Sequence, residues 1–161
     1  MNRVRAGWWF ALGLTMLTAI PAAAAEKAVN LSLFTPISLA KAEDAVSAFR
    51  LNLIYGRNTS VKIVDLGFVN HTTTLSNGLQ WGAVNFNEGQ FSGIQLGAVN
   101  YTKGATNGFQ WAAVNYAGTG GGLQLAFVNY AETLKGFQIG AVNIASKGGM
   151  FPVMIIANWA K

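Results

Sequence analysis

The stretch GFQWAAVNYAG, residues 108–118, recurs along the chain with small changes, and this recurrence decides the fold. Related units begin at Gly78 (GLQWGAVNF), Gly93 (GIQLGAVNY), Gly122 (GLQLAFVNY) and Gly136 (GFQIGAVNI). Each unit carries a Gln that is followed five residues later by an Asn, and successive Asn residues lie 14 or 15 positions apart. All length variation falls between an Asn and the next Gln. A unit of constant length therefore alternates with an adjustable turn, which is the signature of a repeat architecture.

The constant unit has the pattern of a β-strand. Leu79 and Trp81 share one parity, Gln80 takes the other, and Trp111 repeats the position of Trp81. Large apolar residues at every second position predict a half-buried strand. Trp81 and Trp111 lie on its apolar face, which we expect to form the core or, in a barrel, to face lipid. The Gly content and this period argue against a helix.

The alternation then changes parity at one fixed place, because Val84 and Phe86 fall on the other parity. Two arrangements fit this change. If the chain turns a corner there, the repeats form a short parallel β-solenoid, or β-roll, of 14–15-residue coils, each with two short strands and two tight turns. If each strand instead contains a bulge, they form an antiparallel meander or a small outer-membrane β-barrel, with strands of about nine residues that match a bilayer.

The recurrence of identical polar residues favours the solenoid, since stacked coils place equivalent side chains about 4.8 Å apart in ladders that benefit from identity. We predict one ladder on the outer face that is a candidate binding or structural surface: Gln80, Gln95, Gln110, Gln124 and Gln138. We predict a second, structural ladder that caps backbone groups at a corner: Asn70, Asn85, Asn100, Asn115, Asn129 and Asn143.

The chain divides into four segments. Residues 1–25 have a basic start, an apolar run and an Ala-rich end that predict a secretory signal peptide. Residues 26–60 are expected to form N-terminal cap strands around a helical segment, KAEDAVS at 41–47. The repeat array covers 61–149 and a C-terminal cap covers 150–161. Asp65 takes a Gln position in the first repeat, which end-capping explains.

Composition excludes several classes of function. Only 11% of the 161 residues are charged, 52% are hydrophobic, and there is no Cys. Residues 26–161 contain nine Lys or Arg and six Asp or Glu, a net charge of +3 that is scattered singly, so no nucleic-acid partner is expected. His71 is the only His and is interpreted as a solvated turn residue. No acid, nucleophile or metal-ligand spacing suggests chemistry, so the sequence predicts no enzyme, no metal and no cofactor.

Three segments together resemble a known family. The runs FRLNLIYGRN (49–58) and VKIVDLGFVNHTT (61–73), the repeated G-h-Q-h-G-x-V-N units and the closing FPVMIIANW (151–159) resemble a bacterial surface-repeat family named from leptospiral proteins. The resemblance covers residues 29–159. It implies an exported, surface-associated protein and no established activity, so no catalytic residues carry over. Many relatives look like lipoproteins, and the missing lipobox Cys leaves that attachment unsupported here.

Three functional hypotheses follow. The first is a non-catalytic exported protein of the periplasm, outer membrane or cell surface with a structural or binding role, its partner an unspecified envelope ligand and membrane association left open. The second is a small outer-membrane β-barrel protein. The third is a carbohydrate- or ice-binding array, which has less support because the Thr residues do not form a row in register.

Overall fold

The computed structural model describes residues 24–161, which form an all-β protein of eleven strands. All but the last two residues of the predicted signal peptide lie outside this described part. The strands are β1 (Glu26–Phe34), β2 (Ile37–Ser38), β3 (Ala45–Val61), β4 (Val64–Trp81), β5 (Val84–Asn87), β6 (Gln90–Leu96), β7 (Val99–Trp111), β8 (Val114–Leu125), β9 (Val128–Leu134), β10 (Phe137–Lys147) and β11 (Val153–Trp159).

The repeats stack in parallel and in register. Gln80 pairs with Gln95 between β4 and β6, and Gln95 pairs with Gln110 between β6 and β7. The Asn rows pair in the same way. This register closes about eight coils of about 15 residues into a β-solenoid. The solenoid prediction is confirmed, and the antiparallel alternative is wrong.

Each coil has three sides rather than the two that the parity change suggested. The chain turns at Gly82–Ala83, between β4 and β5, and again at Glu88–Gly89, between β5 and β6. A third bend falls at the first Gly of each unit; at Gly108, for example, φ is 132° and a Cβ would lie 2.1 Å from the Gly93 carbonyl oxygen. Only Gly adopts this left-handed backbone freely and leaves room for the coil beneath.

The two ends of the solenoid are built differently. At the N-terminal end β1 pairs in parallel with β3, and the two-residue β2 pairs antiparallel with part of β1. At the C-terminal end β11 runs antiparallel to β10, so the last strand departs from the parallel stacking. The cap strands predicted within residues 26–60 correspond to β1 and the greater part of β3.

The predicted helix at residues 41–47 is wrong. Ala45 already belongs to β3, where it pairs with Glu26 of β1. The Asp44 carboxylate accepts the backbone N–H groups of Lys41 at 2.9 Å and Ala25 at 3.0 Å, which fixes a turn. The hydrogen bond from the Lys41 backbone lowers the pKa of Asp44. Pairing with a neighbouring strand and a carboxylate-fixed turn thus override the local helical preference.

The interior of the solenoid is polar along most of its length. Buried apolar side chains cluster near the two ends, as Ala40, Val46 and Val61 at one and as Ala131, Leu134 and Ala145 at the other. Between them the buried positions are mostly Asn, Gln and Thr, with Phe91 as the large apolar exception.

Candidate functional site

The Gln ladder lies inside the solenoid, so the prediction that it forms an outer surface is wrong. All five Gln residues are at most 1% exposed. Gln95 Nε2 donates to Gln80 Oε1 at 2.8 Å, and Gln110 Nε2 donates to Gln95 Oε1 at 2.7 Å. The same bond joins Gln124 to Gln110 at 2.8 Å and Gln138 to Gln124 at 2.9 Å. A buried amide that bonds to its own copy in the next coil needs no water, so the ladder offsets the cost of burying these side chains. The exception is Oε1 of the last rung, Gln138, which is buried without a partner.

The Asn residues form a second interior ladder that runs in the opposite direction. Asn85 Nδ2 donates to Asn100 Oδ1 of the following coil at 2.8 Å, whereas each Gln donates to the preceding coil. Asn85 Nδ2 also donates to the backbone carbonyl of Leu96 at 2.8 Å, just before the corner at Gly97. The side chains therefore cap backbone groups at a corner, as the sequence suggested.

A buried ion pair terminates the Gln ladder at its N-terminal end. Arg50 Nε and Nη2 donate to the two carboxylate oxygens of Asp65, each at 2.7 Å, and both side chains are buried. Gln80 Nε2 donates to Asp65 Oδ2 at 2.9 Å. Arg50 Nη1 bonds to the His71 carbonyl at 3.0 Å and to Asn58 Oδ1 at 3.3 Å. The charges of Arg50 and Asp65 balance, and all the hydrogen bonds named here join groups inside the solenoid.

Two sides of the solenoid expose apolar side chains to the outside. The first, here the leucine–tryptophan side, carries Trp81 and Trp111, which are 61% and 58% exposed. The prediction that these rings belong to the core is therefore wrong. In successive coils it presents two columns, in register: Leu79, Ile94, Phe109, Leu123 and Phe137, and Trp81, Leu96, Trp111, Leu125 and Ile139.

The second outward apolar side, here the valine–tyrosine side, follows the corner at Gly82–Ala83. One column contains Val residues only: Val69, Val84, Val99, Val114, Val128 and Val142. The other, here the ring stack, is a column of rings: His71, Phe86, Tyr101, Tyr116 and Tyr130. The last four are stacked, and His71 meets Phe86 edge-on, at an interplanar angle of 78°. Tyr101 and Tyr116 are nearly parallel, at an interplanar angle of 7°, with their centroids 4.4 Å apart.

The tyrosine hydroxyls bond toward the third side of the coil. Tyr116 donates to the Glu132 carboxylate, and this bond raises the pKa of the phenol well above its ordinary value. The Tyr130 hydroxyl lies 2.9 Å from Ser146 Oγ. Glu132 lies two residues after Tyr130, and Ser146 lies two residues after Ile144, which pairs with Tyr130. Both therefore stand at the corner where the third side begins. The stack thus marks the boundary between apolar and polar surface.

The third side, here the polar side, carries the charges of the repeat array. Its outward positions include Glu88, Lys103, Glu132, Lys135 and Lys147, all exposed. Among residues 24–161 there is no group of three or more His, Cys, Asp and Glu side chains that could hold a metal ion. The charges stand singly along the axis rather than converging on one point.

His71 is a half-buried member of the ring stack, so its interpretation as a solvated turn residue is wrong. The Tyr55 hydroxyl lies 2.7 Å from Nδ1 and the Glu88 carboxylate lies 2.7 Å from Nε2. Burial lowers the pKa of His71, against the opposing effect of Glu88. Because both ring nitrogens already have partners, the imidazole serves as the first rung of the stack rather than as an available base.

The structure places both amide ladders, which were singled out from the sequence, inside the solenoid. The outer surface is formed by apolar residues such as Trp81 and Trp111, which were predicted to form the core. The missed surface residues are the Leu, Trp, Val and Tyr columns. A signal for the leucine–tryptophan side was present in the repeat itself, since its apolar positions vary more than the Gln and Asn positions. The Val column is as constant as the Asn ladder and gave no such signal.

No protein-family model matches this chain, no curated protein matches it, and no solved structure matches it. Within residues 24–161 the structure contains no helix with the length and hydropathy needed to cross a membrane.

Proposed function

We propose that the protein is a non-catalytic repeat protein of the bacterial cell envelope that acts through its outer apolar surface in a structural or binding role. The observation that carries this proposal is the inverted distribution of side chains. The Gln and Asn side chains hydrogen-bond to one another in ladders inside the solenoid, while Trp81, Trp111 and their column neighbours face outward. Exposed apolar patches of this extent mark sites of interaction.

The polar side chains that catalysis would need are already hydrogen-bonded to other residues of the protein. Arg50 and Asp65 are buried and bonded to each other. His71 has partners on both nitrogens. A catalytic site needs polar groups that are free to contact a substrate. In the described part of the chain, the outward cluster of Tyr55, His71 and Glu88 is hydrogen-bonded within itself. The predicted signal sequence and the resemblance to surface-repeat proteins support a location in the envelope.

Carbohydrate binding has less support. Trp81 and Trp111 flank a shallow groove of about 370 Å³ that is otherwise lined by Gly82, Ala83, Leu96, Gly97 and Ala98. Aromatic rings can stack on a sugar, but specific recognition also needs polar side chains for the hydroxyl groups. None lines this groove.

The proposal is tested by expressing the full chain in a Gram-negative host and fractionating the cells. We expect an N-terminus at Glu26, determined by sequencing, and recovery in the envelope fraction. A variant with Trp81→Ser, Leu96→Ser and Trp111→Ser should move into the soluble periplasmic fraction. A matched variant on the polar side, with Gln90→Ser, Asn107→Ser and Thr133→Ser, should stay in the envelope. Recovery of the unprocessed chain in the cytoplasm would contradict the proposal.

A further inference from the structure

We infer that the leucine–tryptophan and valine–tyrosine sides insert into one leaflet of a lipid bilayer, with the solenoid axis parallel to the membrane plane and the polar side toward water. This inference rests on the proposed function and names its binding partner. Four features of the structure carry it: the absence of charge, the shape of the surface, the position of the tyrosines and the hydrogen-bonded amide ladders of the inner coils.

The two apolar sides are free of formal charge over the length of the repeat array. From Val64 to Ile144, their outward positions contain no Lys, Arg, Asp or Glu; His71 is their single titratable group apart from the tyrosines. Placing a carboxylate or ammonium group in hydrocarbon is costly, so an uncharged surface is what insertion requires. The exposed charges of the same coils lie on the polar side.

The shape of this surface favours a fluid partner over a second copy of the chain. Gln80 and Asn85 both point inward from the two sides of the corner at Gly82–Ala83. The outward faces of these sides therefore diverge, and the residue at the corner in the fifth repeat, Phe127, is 74% exposed. Paired copies would cover one flat side and leave the other in water, whereas acyl chains can cover both sides of a convex wedge.

The tyrosine stack lies where a lipid interface would place it. Tyr and Trp are enriched at the boundary between hydrocarbon and headgroups because their rings are apolar and their polar ends are hydrated. Here the rings of Tyr101, Tyr116 and Tyr130 continue the apolar side, and the hydroxyls of Tyr116 and Tyr130 bond to Glu132 and Ser146 of the polar side. Lys103 and Lys147 lie next along the coil, within reach of anionic headgroups.

The interior does not oppose insertion. Backbone groups of the inner coils bond to the coils above and below, and the buried Gln and Asn amides bond within the ladders. An element at the interface enters the apolar region by about 5–10 Å. In the described part of the chain, the buried side-chain oxygens without a hydrogen-bond partner are Asn52 Oδ1, Ser76 Oγ and Gln138 Oε1. None of them belongs to the Gln rungs from Gln80 to Gln124, so insertion to that depth would bring no unpaired amide of these rungs into hydrocarbon.

The test uses the protein as the host produces it, with its N-terminus determined, and protein-free vesicles of phosphatidylethanolamine and phosphatidylglycerol at about 3:1. We expect the protein to float with the vesicles on a density gradient. The Trp81→Ser, Leu96→Ser, Trp111→Ser variant should partition at least tenfold more weakly, and the polar-side variant Gln90→Ser, Asn107→Ser, Thr133→Ser should partition like the parent. Equal flotation of the two variants would show attachment through another part of the chain and overturn the inference.

A conservative variant guards against loss of folding in the serine variant. Lipids brominated on the acyl chains should quench the fluorescence of the parent, and Trp81→Phe with Trp111→Phe should remove most of the quenched signal while flotation is kept. Unchanged quenching in that variant would overturn the inference.

A protein that remains in the envelope of cells but does not bind these vesicles would overturn lipid insertion and leave the proposed function standing. A soluble dimer of defined mass that does not float with the vesicles would overturn insertion in favour of self-association. A chain that is neither exported nor retained in the envelope would overturn both proposals.

Discussion

Arg50 and Asp65 face each other inside the solenoid through two hydrogen bonds of 2.7 Å and stop the Gln ladder at its N-terminal end. Asp65 accepts the amide of Gln80, as a Gln in its place would, and its negative charge neutralises Arg50. One substitution in the repeat thus serves both as a rung and as a counter-ion. The ladder needs no further amide below it.

Replacing Asp65 with Asn should destabilise the protein severely. The variant keeps an acceptor for Gln80 but leaves the Arg50 guanidinium buried without a countercharge, a change that costs about 3–5 kcal/mol. Urea unfolding followed by circular dichroism measures the loss. The double variant Arg50→Gln, Asp65→Gln extends the amide ladder and should be more stable than Asp65→Asn; a double variant as unstable as the single one would contradict this account.

Replacing Gln110 with Leu should also be destabilising, although the residue is similar in size. The change leaves Gln95 Oε1 without its donor and Gln124 Nε2 without its acceptor, both inside the solenoid. At about 1–3 kcal/mol for each of the two unpaired groups, the expected loss in unfolding free energy is about 2–6 kcal/mol. Trp111→Leu, one residue along and facing outward, is the matched control and should change it little. Equal effects of the two would show that the ladder bonds contribute nothing.

Replacing Gly108 with Ala should prevent close stacking of its coil. The backbone has φ of 132°, and the new Cβ would meet the Gly93 carbonyl oxygen at 2.1 Å, so the coils must separate. Gly97→Ala is the comparison: its Cβ would also be crowded, at 2.6 Å from the Gly82 carbonyl oxygen, but the equivalent residue of the next coil is Ala112 and φ is not left-handed. Thermal unfolding should show a much larger fall for Gly108→Ala, and the reverse order would refute the argument.

Replacing Ile63 with Gly should stabilise the protein. Ile63 occupies the Gly position of the first repeat and has φ of 75°, which costs an L-residue about 1–2 kcal/mol, and its side chain is mostly exposed. The added flexibility of Gly in the unfolded chain offsets about 0.5–1 kcal/mol of this, leaving a net gain of up to about 1.5 kcal/mol. Ile94→Gly, at an exposed position without positive φ, should destabilise instead. A loss of stability in Ile63→Gly would show that its side chain contributes more than its backbone strain costs.

Acidification should weaken the fold partly through His71. Burial lowers its pKa below the ordinary 6.5, so the unfolded chain binds the proton more readily than the folded chain. This part of the stability is present above about pH 6.5 and is lost as the pH falls through the lowered pKa. The charged and titratable groups around the ring are Glu88, Arg57, Arg50 and Tyr55. His71→Phe, which copies the next rung, should lose less in melting temperature between pH 8 and pH 5 than the parent; an equal loss in both would assign the effect to other groups.

The repeat period and the parallel stacking were predictable because they depend on spacing alone, and spacing is printed in the sequence. The Gln-to-Asn interval and the constant register of Gln80, Gln95 and Gln110 favoured stacked coils over an antiparallel arrangement. Parity could not predict which residues face the interior. It places Gln80 and Trp81 on opposite faces of the strand but does not indicate which face is buried. The usual rule that large apolar residues are buried failed because amide ladders satisfy their own hydrogen bonds and the apolar columns face outward.

The opposed directions of the two amide ladders bear on how such an array changes length. Every Gln of the ladder donates toward the N-terminal end, and every Asn of the ladder from Asn70 to Asn129 donates toward the C-terminal end. A coil that brings one of each adds two electric moments that largely cancel along the axis. Duplication or deletion of a whole coil therefore adds or removes almost no net moment from the amide ladders, so these ladders set no electrostatic cost that grows with the number of coils.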